Sequence, residues 1–425
     1  MAETQTGTEA AAGTTAESTA GSAARGALDP DFKEDPRIDP YPEYARMRGR
    51  CPVSQVVRSN GMRPYLITRY EDAKAALADP RLSKNPYVGR QALEEGGLGP
   101  VYFQGRAGLA HNMLSADPPD HTRLRRLVSA QFTPRRTAQL APRVQQIADE
   151  LVAAFARNGE AELIHDFANQ LPALVIAELL GVPGEDRERF RSWSQDSLLP
   201  AQHPRQLPAM NALNEYLAAA VERKRVEPGE NLLSALITGE DTDQLTEQEV
   251  VGSAVLLLVA GHETTVNLIG NGLLALLTHP EQLDLLREKP ELIPNAIEEF
   301  LRFDGPVERA TLRFAAEEVE IGDTVIPEGE IVSVVLNSAN RDDGAFGDPD
   351  RLDVTRSPRG HLAFGHGIHF CLGAPLARLE GRIAFETLLC RLPGLELAAP
   401  PEQLKYRVST IMRGLEALPV RFAKQ

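Results

Sequence analysis

The chain is poor in cysteine: Cys51, Cys371 and Cys390 are the three in 425 residues, and they are scattered rather than patterned. Three cannot build a disulfide framework, which favours a reducing, cytoplasmic setting. Positive charge is also short, since 45 Lys and Arg against 60 Asp and Glu leave a formal charge of −15. A chain so acidic has little global attraction for nucleic acid or anionic lipid, and neither is expected as a partner. No unbroken apolar run reaches the length of a membrane span, so no membrane anchor is expected. The N-terminus lacks the basic-then-apolar order of a signal peptide. Of its first 25 residues, 19 are Ala, Thr, Gly or Ser. So little to bury predicts a disordered tail over Met1–Arg25.

What is present reads as globular, with 42% hydrophobic and 25% charged residues supplying a core and a surface. Length alone suggests two or three domains. From Gly26 onward, however, there is no internal repeat and no long Pro/Gly/Ser linker, so one large domain over 26–425 is expected. Pro52-Val-Ser-Gln-Val-Val and Tyr65-Leu-Ile-Thr flank Asn60-Gly61, a turn pair suited to a β-hairpin. A second β-rich stretch runs from Ala310 to Leu336, with turns at Gly322-Asp323 and Pro327-Glu-Gly. Helical periodicity covers Pro42–Arg48, Glu71–Leu77, His121–Phe132, Ala141–Phe155, Gln170–Leu180, Leu213–Val226 and Leu376–Leu392. The predicted class is mainly α with small β-sheets packed at one side.

One further helix is set apart by its length. Thr246-Glu-Gln-Glu249 is a capping box, and the apolar pattern behind it runs to about Leu277. About 32 residues rising 1.5 Å each reach roughly 48 Å, enough to cross the molecule. Its middle is Ala260-Gly-His-Glu-Thr-Thr265, between Val255-Leu-Leu-Leu-Val and Val266-Asn-Leu-Ile. The plain reading is a polar patch where the helix surfaces, but flanks so apolar argue for burial. Buried Ser and Thr hydroxyls back-bond one turn earlier and loosen a helix. Glycine, carboxylate and hydroxyls inside a central helix suit the floor of a reaction site.

The sharpest segment is Phe364-Gly-His-Gly-Ile-His-Phe-Cys371-Leu-Gly373, followed by a helix from Ala374-Pro375. Glycines let backbone approach closely, and N–H groups beside a helix N-terminus are expected to lower the thiol pKa. A thiolate so held serves a metal or attacks a substrate. The alternative is a buried cysteine in a tight turn, which is the reading adopted for Cys51 and Cys390. Zinc would recruit His361, His366 and His369 with Cys371, yet gaps of five, three and two match no usual ligand pairing. A nucleophile would want a general base, and none is evident.

Phe-Gly-x-Gly-x-His-x-Cys-x-Gly resembles the haem-binding loop of the cytochrome P-450 family, and the match is complete. Ala260-Gly-His-Glu-Thr-Thr265 is similar to that family's oxygen-activating signature. Glu299-Phe-Leu-Arg302 resembles its Glu-x-x-Arg element. Phe346-Gly-Asp-Pro-Asp-Arg351 resembles the segment whose arginine completes a Glu/Arg/Arg network. The four stand in the family's order, and the resemblance extends from Asp29 to Arg421.

The resemblance implies a single cytochrome P-450-like domain holding haem b (iron protoporphyrin IX) between the long helix and the cysteine loop. Cys371 would be the thiolate ligand of the iron, a ligation that favours O–O cleavage. Phe364, Gly365 and Gly373 would shape the loop around its sulfur. On the distal side Glu263 and Thr264 would deliver protons, beside Ala260 and Gly261, where the backbone would admit oxygen and water. His121 and Arg125, at i and i+4 on one helix face, would meet the haem propionates together with Arg313 and His369. Arg123 and Arg126 read as ordinary surface residues. Glu299, Arg302 and Arg351 would form a buried ion network behind the cysteine loop.

The implied activity is a haem-thiolate monooxygenase that places one atom of O2 in a C–H or C=C bond and reduces the other to water. Arg123, Arg125, Arg126, Arg135, Arg136 and Arg143 stand between His121 and Ala148 with no Asp or Glu among them. In the family this region faces an acidic ferredoxin, so NAD(P)H-derived electrons would arrive through ferredoxin and ferredoxin reductase. The substrate roof would span Ser83–Met113, with its lid Gly96-Gly-Leu-Gly-Pro-Val-Tyr-Phe-Gln-Gly, and Ser192–Leu213, with Leu198-Leu-Pro-Ala-Gln-His-Pro. Leu256, Val259, Val307, Ala310, Ile411 and Met412 are candidate wall positions, apolar or small, suiting a bulky lipophilic ligand. The resemblance points to soluble bacterial members of the actinobacterial natural-product tailoring branch, hence a polyketide macrolide or related metabolite. A steroid or secosteroid is the second expectation. A haem-based ligand or gas sensor is the rival class, and the Glu263–Thr264 pair argues against it because binding alone needs no proton delivery.

Overall fold

A computed structural model describes residues 24–25, 28–29, 31–32, 39–97, 99, 103, 111–130, 132–197, 199, 203–238, 244–357 and 359–424. Its helices of nine or more residues begin with α1 (Tyr41–Arg50), α2 (Tyr70–Ala78), α3 (Asp120–Ser129) and α4 (Ala141–Phe155). Next come α5 (Gln170–Leu179), α6 (Arg187–Ser197), α7 (Gln206–Val226) and α8 (Glu247–Leu277). The series ends with α9 (Pro280–Glu288), α10 (Ile293–Phe303) and α11 (Ala374–Arg391). The strands are short: β1 (Ala24–Arg25), β2 (Val53–Gln55), β3 (Tyr65–Ile67), β4 (Leu82–Ser83), β5 (Glu160–Glu162) and β6 (Arg313–Ala315). They continue with β7 (Val319–Ile321), β8 (Thr324–Ile326), β9 (Ile331–Val334), β10 (Glu396–Leu397) and β11 (Pro419–Arg421). The sheets run β2-β3-β9-β6-β4, β1-β8-β7 and β10-β11-β5.

Helix α8 starts at its capping box. The Thr246 hydroxyl accepts from the Glu249 N–H at 3.3 Å, and the Glu249 carboxylate accepts from the Thr246 N–H at 2.8 Å. Thirty-one residues then run about 46 Å, with α5, α7, α10 and α11 packed around them. Length and hydropathy would let this helix cross a membrane, but 61% of its apolar window is buried inside the protein. It is a core helix. Burial is continuous over 252–258 and 265–273 and lapses at Val259–Gly261 and Glu263–Thr264. The polar middle therefore lines a cleft, while both flanks are core.

Elsewhere, local chemistry explains the elements. β2 and β3 pair antiparallel, Val53 with Ile67, around a turn whose Gly61 sits at φ +87°. α7 begins seven residues before the expected Leu213, because Pro208 falls in the first turn, where a missing N–H is harmless. α10 buries one stripe, Ile293, Ala296, Ile297, Phe300 and Leu301. Cys51 and Cys390 are exposed rather than buried: one follows the last residue of α1, the other sits on the outer face of the last turn of α11. The expected tail ends early, since Ala24 and Arg25 pair in parallel with Thr324 and Val325. Its residues 1–23 lie outside the described set.

Behind the cysteine loop lies an ion network built on a fully buried pair. Arg302 Nε and Nη2 donate to Glu299 at 2.7 and 2.8 Å, and neither side chain has solvent exposure. The second guanidinium is that of Arg356, whose Nε donates to Glu299 Oε1 at 3.2 Å. This corrects the assignment to Arg351, whose side chain is exposed and which enters only through its carbonyl, 3.2 Å from Arg302 Nη2. The reason is a turn at Asp348, a non-glycine residue at φ +46°, which swings Arg351 outward and leaves the next turn to aim Arg356 inward.

His262, inside the polar stretch of α8, faces away from the cleft. Its Nε2 donates to the Asn169 carbonyl at 3.1 Å, and its Nδ1 accepts from the Ser194 hydroxyl at 2.9 Å. It therefore ties α8 to the N-cap of α5 and to α6. Burial pushes its pKa down to about 4.

Two outcomes follow. Arg356→Leu should lose about 2–3 kcal/mol of stability by stripping a hydrogen bond from a buried carboxylate, whereas Arg351→Leu should stay within about 0.5 kcal/mol of wild type; urea unfolding of both compares them. The unfolded chain protonates His262 near pH 6.5 while the folded one resists until about 4. Stability from this group is thus complete above pH 6.5 and declines as pH falls, by roughly 3 kcal/mol at the limit. Melting temperatures between pH 7 and 4.5 should fall less steeply in His262→Gln than in wild type.

Candidate functional site

The loop before α11 is fixed by short backbone bonds. Gly365 N–H donates to Leu362 O and Cys371 N–H donates to Phe364 O, both at 2.8 Å. Gly367, at φ +72°, abuts the end of α2, where a Cβ would fall 2.9 Å from the Leu77 carbonyl oxygen. Only glycine closes that contact. Arg378 stacks over the Phe364 ring at 4.5 Å and forks onto Glu298 at 2.6 and 2.8 Å. His361 Nε2 joins the same carboxylate at 3.1 Å. Burial alone would raise the Glu298 pKa, but the bonds from Arg378 and His361 bring it to about 2.

Cys371 sits at the mouth of this loop, accessible to solvent along a cleft yet with its thiol deep among protein atoms. Burial pushes the thiol pKa up. The N–H groups of Gly373 and Ala374, with Arg125 and Arg378, pull it back without prevailing. The loop thus makes the tuning contacts anticipated from sequence, but the net direction is upward rather than downward. Among the described residues no three His, Cys, Asp or Glu side chains cluster as a metal site.

Beside the cysteine stands a knot of cationic and donor groups. His121 and Arg125 come from α3, and Arg125 Nη2 donates to the Phe370 carbonyl at 2.6 Å. The His121 and His369 rings lie 4.4 Å apart. Arg313, on β6, is anchored through the carbonyls of Leu82 and Leu77 at 3.1 and 3.0 Å, and burial lowers it to about 10. Burial, followed by the fields of Lys84, Arg313, His121 and Arg125, drives His369 down to about 2. The Nε2 atoms of both His121 and His369 are buried without a partner among the described residues. A site so positive, with two unspent imidazole donors next to a thiol, fits a flat dianion carrying a thiophilic metal. Haem has that chemistry.

Across the cleft is the polar middle of α8. Leu372, next after Cys371, packs in the same apolar cluster as Val255, Leu258 and Val259. Thr264 Oγ1 donates to the Ala260 carbonyl at 2.6 Å and Thr265 Oγ1 to that of Gly261 at 3.1 Å, which is the back-bonding read from sequence. A Cβ on Gly261 would meet only Ile176 Cδ1 at 3.7 Å, an ordinary contact. Burial raises the Glu263 pKa, with Arg407 at 4.0 Å pulling the other way.

The structure brings His121, Arg125, Arg313, His369 and Cys371 into one neighbourhood. Of the expected wall positions, Val307 and Met412 bridge one another, Ile411 accepts from Glu308 N–H at 2.8 Å, and Ala310 donates to Val334 at 2.9 Å. Val259, Val307, Ala310, Ile411 and Met412 are half-buried, whereas Leu256 is buried in the core cluster. Leu98, Pro100–Tyr102 and Gln104–Gly105 of the expected lid, and Leu198 and Pro200–Gln202 of the second loop, lie outside the described residues. Sequence reasoning missed Arg356, Arg378, Glu298, His262 and Lys84. For Arg378 a signal existed: it stands one turn into the helix after the cysteine, four residues past Ala374.

Comparison with known proteins agrees with this geometry. The family model described as Cytochrome P450 matches residues 96–392. The chain is 49% identical over 384 residues to a Vitamin D(3) 25-hydroxylase of Pseudonocardia autotrophica, covering 90% of this chain and 93% of that protein. It is 45% identical to the 6-deoxyerythronolide B hydroxylase of Saccharopolyspora erythraea, covering 92% and 98%. The tirandamycin C-bound structure of the P450 monooxygenase TamI superposes with a TM-score of 0.83 at 44% identity, over 91% of this chain and 98% of that one. Family model, relatives and fold agree with the cysteine loop and its cationic flank: the chain belongs to the cytochrome P450 family and is a haem b-dependent monooxygenase.

Proposed function

We propose that Cys371 ligates the haem iron and that the enzyme oxidises a bulky lipophilic secondary metabolite, a polyketide macrolide before others. The observation that carries the haem assignment is the pair of buried Nε2 atoms of His121 and His369, without a partner among the described residues, beside Arg125, Arg313 and Cys371. The two imidazoles and two guanidinium groups would take the propionates. When bound, the haem supplies one-electron chemistry and the activation of dioxygen. The remaining work falls to the chain. Thr264 spends its hydroxyl proton on Ala260 O, so its oxygen is an acceptor that orients a proton donor in the cleft. Glu263, whose pKa burial raises and Arg407 opposes, would take up and release a proton at Oε toward that cleft. The apolar wall of Val259, Val307, Ala310, Ile411 and Met412 orients the substrate and excludes water.

Family members of this kind receive electrons from separate redox proteins. The finer reading is an acidic ferredoxin, itself reduced by a ferredoxin reductase, acting in the cytoplasm. The basic surface is narrower than the sequence run, because Arg123 is tied to Glu249 and Arg143 to Glu178. Arg126, Arg135 and Arg136 are exposed, as are Ile368 and Phe370 of the cysteine loop. Charge to steer with apolar contacts to seat suits such a partner.

The substrate class has a second reading, favoured by the relative named for vitamin D(3): a secosteroid. Spin-state titration with macrolactones and secosteroids separates the two, since the native class should shift the haem band at micromolar concentration. The dithionite-reduced, CO-bound protein should show the strongly red-shifted band of thiolate ligation, and Cys371→Ser should lose it with folding intact. Thr264→Ala should keep its haem but lower product per NAD(P)H by about 10- to 100-fold, the electrons appearing as peroxide. Full coupling in that variant would remove Thr264 from proton delivery.

A further inference from the structure

The polar middle of α8 is held weakly by its own backbone. The hydroxyls of Thr264 and Thr265 donate to the Ala260 and Gly261 carbonyls at 2.6 and 3.1 Å, where they compete with the main-chain bonds of that turn. On the Gly261 side the turn meets α5 loosely, through the tip of Ile176. Between Val259 and Thr264 one residue is buried, His262, at 1% exposure. Its ring is bonded at both nitrogens, to two other elements.

The tautomer follows from the partners. A carbonyl only accepts, so the Asn169 oxygen at 3.1 Å places the ring proton on Nε2. Nδ1 is then the acceptor, and the Ser194 hydroxyl donates to it at 2.9 Å. Ser194 is wholly buried, and this is the one hydrogen bond that joins α6 to α8 among the described residues. Asn169 is the N-cap of α5, while Ser194 lies in the stretch Ser192–Leu213 expected to roof the substrate. At 3.6 residues per turn, His262 and Thr264 stand about 200° apart around the helix, on nearly opposite faces. A ring locked on the outer face therefore fixes how the inner face is turned toward the cleft. An apolar side chain of similar size would fill the same space, so packing alone does not call for two directed bonds here.

We propose that His262 is a positioning residue for the oxidation: held by Asn169 and Ser194, it keeps the back-bonded turn of α8 rotated so that Glu263 and Thr264 face the cleft. The inference rests on the reading of that pair as the proton-delivery groups. His262 faces away from the cleft and exchanges no proton in the reaction. Its bond to Ser194 makes the seating of α6 a condition for the alignment of the pair. With α6 displaced, the turn keeps one of its two pins and the pair loses its aim. Dioxygen then takes up two electrons and two protons and leaves as hydrogen peroxide, with no oxygen placed in the substrate.

The test uses the haem-loaded full chain. His262→Phe fills the space of the ring and removes both bonds, and His262→Gln keeps a donor and an acceptor. Ser194→Ala removes one bond with His262 in place, and it stands alone should His262→Phe fold poorly. Two quantities are read on folded, haem-replete protein: product per NAD(P)H, and the infrared C–O stretch of the reduced, CO-bound form, which senses the polar groups facing the gas. His262→Phe should broaden or split that band and lower product per NAD(P)H about tenfold, with the substrate-induced spin shift unchanged. Ser194→Ala should fall between it and wild type, and His262→Gln should recover most of the coupling. Added to Thr264→Ala, His262→Phe should uncouple little further, because the histidine acts through that turn. Wild-type coupling and an unaltered C–O band in both His262→Phe and Ser194→Ala, even with a lowered melting temperature, would overturn the proposal and leave His262 a stability residue. If Thr264→Ala and Glu263→Gln both keep full coupling, proton delivery by the pair fails instead, and the C–O band of His262→Phe alone decides whether the ring holds the turn.

Discussion

The contact on which the site depends is the Glu299–Arg302 pair. Two opposite charges with no solvent exposure are expensive to bury, and their attraction offsets that only when the remaining donors and lone pairs are used. Here they are. Arg302 reaches the carbonyls of Asn340, Pro349 and Arg351, while Glu299 also receives Asp353 N–H and Arg356. Asn340 passes the constraint on, since its Oδ1 accepts from Leu362 N–H at 2.7 Å. Leu362 O then holds Gly365, and Phe364 O holds Cys371. The position of the sulfur is thus set by a charge pair that never touches it.

A second constraint works in the opposite direction. The middle of α8 is polar within an otherwise apolar core helix, and the flank of the cysteine loop crowds Lys84, Arg125 and Arg313 around two imidazoles. Neither arrangement helps the chain fold. Burial, then the like charges around His369, hold its pKa down, and Nε2 atoms without a partner among the described residues carry a desolvation penalty. Core helices and the ion network supply the stability that lets this region stay poised for an anionic ligand.

What the sequence made legible was what local chemistry decides. The capping box fixed the start of α8, Asn60-Gly61 marked the hairpin, and the periodicity over Ala141–Phe155 gave the bounds of α4. Glu-x-x-Arg located both members of the buried pair, because three residues bring them to one helix face. The second arginine was not legible. Arg351 and Arg356 follow the same motif, and the choice between them is made by the positive φ of Asp348, which no pattern of residue types specifies. Arg378, Glu298 and His361 form a triad whose members come from α11, α10 and the loop between β9 and α11. Contacts of that range are written in tertiary packing.

The cysteine shows how the two levels combine. Its surroundings contain every device that lowers a thiol pKa: backbone N–H groups of Gly373 and Ala374, a helix N-terminus, and two guanidinium groups. Burial outweighs them, and the net direction of the thiol pKa is upward. A reactive cysteine needs its thiolate before the substrate arrives, whereas a ligand needs it only when a metal's charge is present to stabilise it. Devices insufficient to ionise the sulfur alone are still free to set its hydrogen bonding and electron donation once it is bound. The surroundings of Cys371 thus suit the ligand role proposed for it.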